Sequence, residues 1–250
     1  MSRSAVKSAA RTMEILSYFS VRRVPLSQKA LCDALGYPQS SATVLLRTLT
    51  DMGYVNYDRG HRVYFPSVKL TALGEWIPTA LFGQGLIQEL MRDLHAATNE
   101  TVVAAIRNDV YIQYIAVLES SHAIRFHVDP GDMRPVTQSA VGWLLMSSLK
   151  DKEIDLLVRR SNIACGRPAG ANIDSTLESV RQTRAKRFGY AENIPNLGGA
   201  SIGVLLPLLV QGQPVALCCG GVLERMRKNR SRYLAIIQKV ARSLERSQST

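Results

Sequence analysis

A run of small polar and basic side chains stands where a helix could present it to nucleic acid. Within LSQKALCDALGYPQSSATVLLRTLTDMGY, from Leu26 to Tyr54, the residues Ser40, Thr43, Val44, Arg47 and Asp51 share one face at about 100° per residue. Ala42, Leu45, Leu46, Leu49 and Met52 form the opposite, apolar stripe. Short hydroxyls and a guanidinium suit phosphate oxygens and base edges, and Arg47 is the residue able to make a bidentate contact with guanine. Ser40 and Ser41, with Arg59 and Arg62 further on, are expected to fix register on phosphates.

The other chemistry-bearing groups do not assemble into a catalytic set. There is no glycine-rich nucleotide loop, nucleophile elbow or P-loop. His122 and His127 are five apart in a predicted strand and should point to opposite faces, which opposes joint chelation of a metal. His61 and His95 are isolated, and Cys218-Cys219 lies in an apolar run expected to be core. Ser201 has no base nearby in sequence. No cofactor and no metal are expected, and the chain reads as a non-enzyme. The alternative is an enzyme or sensor acting on a small molecule in the C-terminal half.

The elements needed to carry that polar face are legible. Ser27 is a plausible N-cap for a helix with Ala30, Leu31, Ala34 and Leu35 at helical spacing, and Gly36 supplies the turn. Ala9, Met13, Leu16 and Phe19 predict a preceding helix. Two β-prone runs, Tyr54-Val55-Asn56-Tyr57 and Val63-Tyr64-Phe65, flank Asp58-Arg59-Gly60-His61-Arg62 and predict a basic-tipped wing. A short irregular helix around Leu70, Leu73, Gly74 and Trp76 follows, broken by Pro78, Gly83 and Gly85. Helices are then predicted over 86–97, 139–149, 151–160, 174–187 and 230–246, and strands over 101–106, 110–118, 123–128, 202–210 and 215–222. Hairpins mixed with helices argue for an α+β fold, an antiparallel sheet covered by helices.

Charge divides the chain in the same way. Residues 1–78 carry a net +5, residues 79–223 are balanced, and residues 224–250 carry +6, which together give the formal +11. The expected organisation is a DNA-binding domain over 1–78, a linker over 79–85 and a second domain over 86–250. The basic cluster Arg225, Arg227, Lys228, Arg230 and Arg232 reads either as a solvated helix start or as an extra phosphate-contacting patch. No apolar run approaches the ~20 residues that would span a bilayer, the N-terminus lacks a secretion signal, and the four cysteines suggest no disulfide framework. A cytoplasmic protein is expected.

Gly36-Tyr37-Pro38-Gln39-Ser40-Ser41, Leu45-Leu46 and Gly53-Tyr54-Val55 stand in the order found in the isocitrate lyase regulator (IclR) family. Tyr64, Leu73-Gly74, Glu100-Thr101-Val102, Pro135 through Ala140 to Gly142, Gly189-Tyr190-Ala191 and Ser201-Ile202 continue the likeness, so the chain resembles that family over nearly its whole length. The resemblance implies an N-terminal winged helix-turn-helix and a C-terminal GAF-like effector-binding domain. It also implies homodimers joined through the first domain, often paired as dimers of dimers, on a double-stranded DNA operator. Gln39 stands where a basic residue is common and Thr43-Val44 where histidine-arginine often appears.

A small-molecule effector, an organic or aromatic acid, is expected in a pocket lined by Thr137, Ser139, Ala140, Ala191, Leu197, Ser201, Cys218 and Gly220. The family often holds a ligand carboxylate with two serines where Cys218 and Gly220 stand here. That departure implies either backbone groups near Gly220-Gly221 as donors or a more apolar ligand. The segment from Leu70 to Gly85 is where two arrangements of the domains would differ.

Overall fold

Caps and turns fix the first elements of the chain. The structure is a computed structural model that describes residues 6–82, 85–166 and 171–247. It divides into two compact units, Met1–Ala80 and Leu81–Thr250. In the first, α1 (Lys7–Arg22) is followed by β1 (Leu26–Ser27) and α2 (Gln28–Leu35). The Ser27 hydroxyl caps α2 by accepting from the Ala30 amide, and Gly36 takes the left-handed conformation (φ 68°) that ends it. Next come α3 (Gln39–Asp51), β2 (Val55–Asp58), β3 (Val63–Pro66), α4 (Lys69–Gly74) and α5 (Trp76–Phe82).

Ile15, Phe19, Leu26, Leu31, Leu46, Leu49 and Val55 make the core of this unit. The expected stripe of α1 is therefore rotated, since Ala9 and Met13 are exposed and Ile15 takes their place. Ala34 of α2 and Met52 are likewise exposed. β1 was not foreseen: it pairs with β3 and makes the wing a three-stranded sheet in the order β1-β3-β2. Pro78 does not break a helix. It lies in the first turn of α5, where backbone amides have no intrahelical acceptor to lose. Gly83 lies outside the described residues, and Gly85 (φ 85°) precedes the next helix as its N-cap.

The second unit runs α6 (Leu86–Thr98), β4 (Thr101–Asn108), β5 (Tyr111–Leu118), β6 (Met133–Pro135), α7 (Ala140–Met146), α8 (Asp151–Cys165), α9 (Ile173–Lys186), β7 (Gly189–Glu192), β8 (Gly199–Val210), β9 (Gln213–Val222) and α10 (Leu223–Ser247). Its strands form one antiparallel sheet in the order β6-β5-β4-β9-β8-β7. Strand alternation sends Val102, Ala104, Ile202, Leu217 and Cys219 to one face, packed against α6 and α10. Val103, Ala105, Ile112, Tyr114, Ala216 and Cys218 face the other side, with α7, α8 and α9. The fold class is α+β. Two glycines permit its closest approaches: a Cβ on Gly142 would overlap the Val136 carbonyl, and one on Gly203 the Cys218 sulfur.

One predicted strand is absent. Residues 123–128 form an irregular crossing, although Ala123 to Val128 has strand-like composition. The strand that does pair with the outer edge of β5 is β6, over Tyr111 to Gln113, and it was not foreseen. The crossing is instead tied by side chains: Thr101 Oγ1 donates to the Phe126 carbonyl at 3.4 Å and Arg225 Nη2 to that of Ile124 at 3.4 Å. The strand argument about His122 and His127 therefore lapses. His127 pairs with Glu119 and Asp129, which hold its pKa above the ordinary range, Glu119 contributing most.

Candidate functional sites

The first site is the exposed face of α3 with the wing beside it. Gln39, Ser40, Thr43, Val44 and Arg47 are exposed, whereas Ala42, Leu46 and Leu49 are buried behind them. The Arg47 side chain stands free except for a 3.7 Å approach to Asp51, an exposed pair that contributes little to stability. Thr43 is more constrained than its sequence suggests. Its hydroxyl donates to the Gln39 carbonyl at 2.8 Å and accepts from Gln28 Nε2 at 2.7 Å. With its proton committed, it can only accept from a further partner, which suits a base amino group and not a phosphate.

Ser41 is half-buried, and its hydroxyl accepts from Arg11 at 3.3 Å. Arg11 also lies 4.9 Å over the Tyr37 ring. Gln28 and Arg11 were missed from the sequence because they stand 15 and 30 positions from Thr43 and Ser41, and only helix packing brings them together. At the wing tip the Asp58 carboxylate accepts from the Gly60 and His61 amides and pairs with the His61 ring at 2.7 Å. That contact lowers the Asp58 pKa and raises that of His61. Arg59 and Arg62 are left exposed on a tip braced by this turn, Arg62 with φ 56°.

The second site is a cavity on the α7 face of the large sheet, with about 620 Å³ of space, part of it open to solvent. Register aligns its floor: Thr101, Gly220 and Ser201 are cross-strand partners, as are Val103 and Cys218. Tyr114 and Arg134 extend the floor toward the sheet edge. Phe126 and Val128 come from the irregular crossing, Ser139 and Val141 from the start of α7, and Ile194, Pro195 and Asn196 from the loop after β7. Phe126 fits because Gly199 beneath it has no side chain.

Ser139, Ser201, Cys218 and Gly220 from the sequence-predicted set lie on this wall. Ala140 and Ala191 are buried in packing, Leu197 is 88% exposed, and Thr137 belongs to a separate, more open cleft beside Asn172 and Ser175. Burial raises the pKa of the Cys218 thiol and pushes that of Cys219 to about 12, so neither is a ready thiolate. Burial also raises the pKa of Tyr114, while the nearby positive charge of Arg134 acts in the opposite direction.

The basic segment of α10 lies at the start of the helix, with Arg227, Lys228, Arg230 and Arg232 exposed as one of the two sequence readings expected, and Arg225 half-buried. The helix begins at Leu223, not near Arg230, and its arginines bind back onto the fold. Arg225 makes two hydrogen bonds, 2.5 and 2.8 Å, to the fully buried Glu100, which Tyr233 approaches at 3.3 Å. Arg227 binds Glu192, Arg230 stacks 4.0 Å over Tyr190, and Arg232 donates to the Ala97 carbonyl. Arg227 and the Tyr190 hydroxyl hold the Glu192 pKa down to about 2.

A winged helix-turn-helix accompanied by a ligand-sized cavity defines the class of effector-responsive transcriptional regulators. Residues 8–59 match the IclR helix-turn-helix domain and residues 85–246 the bacterial transcriptional regulator IclR C-terminal domain. The chain belongs to the IclR family. It is 26% identical over 214 residues to the probable transcriptional regulator SauR of Cupriavidus necator, covering 84% of this chain and 82% of the relative. A solved effector domain of a transcriptional regulator IclR from Acinetobacter sp. ADP1 is 43% identical, with a TM-score of 0.63, over 67% of this chain and 98% of that one. An IclR homologue from Microbacterium hydrocarbonoxydans, solved with 4-hydroxybenzoate, shares the fold at 14% identity and a TM-score of 0.70, over 94% of this chain and 95% of that one.

Proposed function

We propose that this chain represses or activates transcription from a double-stranded DNA operator according to the level of a small organic or aromatic acid. The observation that carries the reading is one chain holding both an exposed recognition face and a separate, largely apolar cavity. Arg47, Val44, Ser40 and Thr43 would meet base edges, with Gln39, Arg59, Arg62 and the Arg11-braced Ser41 fixing the backbone. A single winged helix reads too few base pairs to be selective, so the active form would be a homodimer on a two-fold site, with pairing into a dimer of dimers. The acid can act only through its differential affinity for two arrangements of the protein.

The cytoplasm is the compartment this role requires. No helix among the described residues is long and apolar enough to cross a membrane. The domain assignment 1–78, 79–85 and 86–250 is kept in this reading. The enzyme alternative is disfavoured by the cavity wall, where the Cys218 thiol is held protonated by burial and Ser201 has no histidine or carboxylate beside it among the lining residues.

The test is fluorescence anisotropy with a fragment of the gene's own promoter region. Binding should fall steeply and linearly in log affinity against log salt, and 4-hydroxybenzoate or benzoate should shift it. Salt-insensitive binding, or consumption of the acid, would sink the regulator reading.

A further inference from the structure

We infer that Arg134 selects the effector by anchoring the carboxylate of a monoanionic acid whose apolar or aromatic body fills the remainder of the cavity. The inference rests on reading that cavity as the effector site. Arg134 lies on the short edge strand β6, opposite Ile112. Ile112 is fully buried on the cavity side of the sheet, in the same cluster as Val103 and Tyr114, so strand geometry puts the Arg134 side chain on that side too.

Arg134 is the sole charged residue among the described residues of the cavity wall. It is half-buried and lies near enough to buried Tyr114 for its charge to oppose the rise in that hydroxyl's pKa. No carboxylate of a described residue pairs with it, although Asp132 is close enough to act on Tyr114. Several other arginines of this unit, though not Arg230 or Arg232, are supplied with one: Arg225 with Glu100, Arg227 with Glu192, Arg160 with Asp109, Arg181 and Arg184 with Asp151. A half-buried guanidinium on a wall that also carries Val103, Phe126, Val128, Val141 and Ile194 gives up part of its hydration without a carboxylate partner among the described residues. A carboxylate restores both, since its two oxygens match the fork of donors.

The rest of the wall narrows the class. With one positive charge and no second cation, a dicarboxylate would leave one charge facing apolar surface. Ser139, Ser201 and Asn196 offer uncharged hydrogen bonds for a hydroxyl substituent. The anchor also differs from the serine pair expected at Cys218 and Gly220, and it stands on a strand the sequence did not reveal.

The experiment uses the full chain, with thermal shift and calorimetry against benzoate, 4-hydroxybenzoate, benzamide and phthalate. Both monoacids should bind at least roughly tenfold more tightly than neutral benzamide or doubly charged phthalate. Arg134→Gln should remove that preference and Arg134→Lys recover part of it, with the ligand-free melting temperature of the lysine variant close to wild type. Equal binding of benzamide, unchanged acid binding in Arg134→Gln, or no binding of either monoacid to the wild type would overturn the inference. Operator binding on the same preparations separates the two readings. A wild type that binds monoacids through Arg134 but no operator keeps the anchor and discards the regulator.

Discussion

Arg47 and Gly220 are the residues on which the two sites can be tried singly. Arg47 is exposed and held only by a weak, solvent-screened approach to Asp51, so its removal should leave the fold intact. Arg47→Ala should weaken operator binding by about 1–3 kcal/mol and relax preference at one position in each half-site. A uniform loss over all sequences would assign it to phosphate, and no loss would remove α3 from the interface. A Cβ on Gly220 meets the Ala200 carbonyl at 3.3 Å and Ser201 Cβ at 3.5 Å, a tight but tolerable fit. Gly220→Leu should therefore fold, fill the cavity floor and abolish the response to acid while sparing operator binding, because distant sites usually act independently. An intact response, with an unchanged melting curve, would place the ligand elsewhere.

At the scale of elements, α10 is fastened to the sheet by an apolar stripe, Met226, Tyr233, Ile237, Ala241 and Leu244, and by ion pairs that its sequence does not announce. Arg225 reaches Glu100 across 125 positions of sequence, and Glu100 is fully buried. Arg225→Met would leave that carboxylate without its cation, costing about 3 kcal/mol by urea unfolding. A loss below 1 kcal/mol would mean that Tyr233 alone satisfies it. The Arg227–Glu192 pair predicts a pH effect of definite sign. The folded pKa of Glu192 is depressed from 4.5 to about 2, so its contribution is complete above about 4.5 and is lost as pH falls toward 2. Glu192→Gln should show a flatter fall in melting temperature between pH 5 and pH 2. Parallel curves for variant and wild type would refute that role.

For the whole molecule, the question is where DNA affinity resides. Among the arginines of α10, Arg225 and Arg227 are paired with Glu100 and Glu192, whereas Arg230 and Arg232, on the Tyr190 ring and the Ala97 carbonyl, keep their charge. The second unit has its own two-sided core, and a fragment over 85–250 should fold, bind benzoate and show little affinity for the promoter fragment. Salt-dependent binding as tight as that of the full chain would make α10 a DNA-contacting surface after all.

What the sequence determined by itself was local. Ser27 and Gly36 bound α2 because a cap and a left-handed turn involve only adjacent backbone. The 3.6-residue period of Ala42, Leu46 and Leu49 fixed which side of α3 is exposed, since that rotation is set within the helix. The hairpins β4–β5 and β8–β9 were equally legible from strand-like apolar runs and the turn residues between them. Tertiary structure decided the rest. Ala123 to Val128 has strand chemistry, but its backbone carbonyls are taken by side chains distant in sequence, Phe126 by Thr101 and Ile124 by Arg225. Leu197 and Ala191 were sequence candidates for the cavity, yet one is exposed and the other packed away, because a wall is made where non-adjacent elements converge. Arg134 and Arg225 look alike in the sequence. Only the fold gives one a buried carboxylate and leaves the other facing an apolar cavity, because charge pairing depends on distance in space and not along the chain.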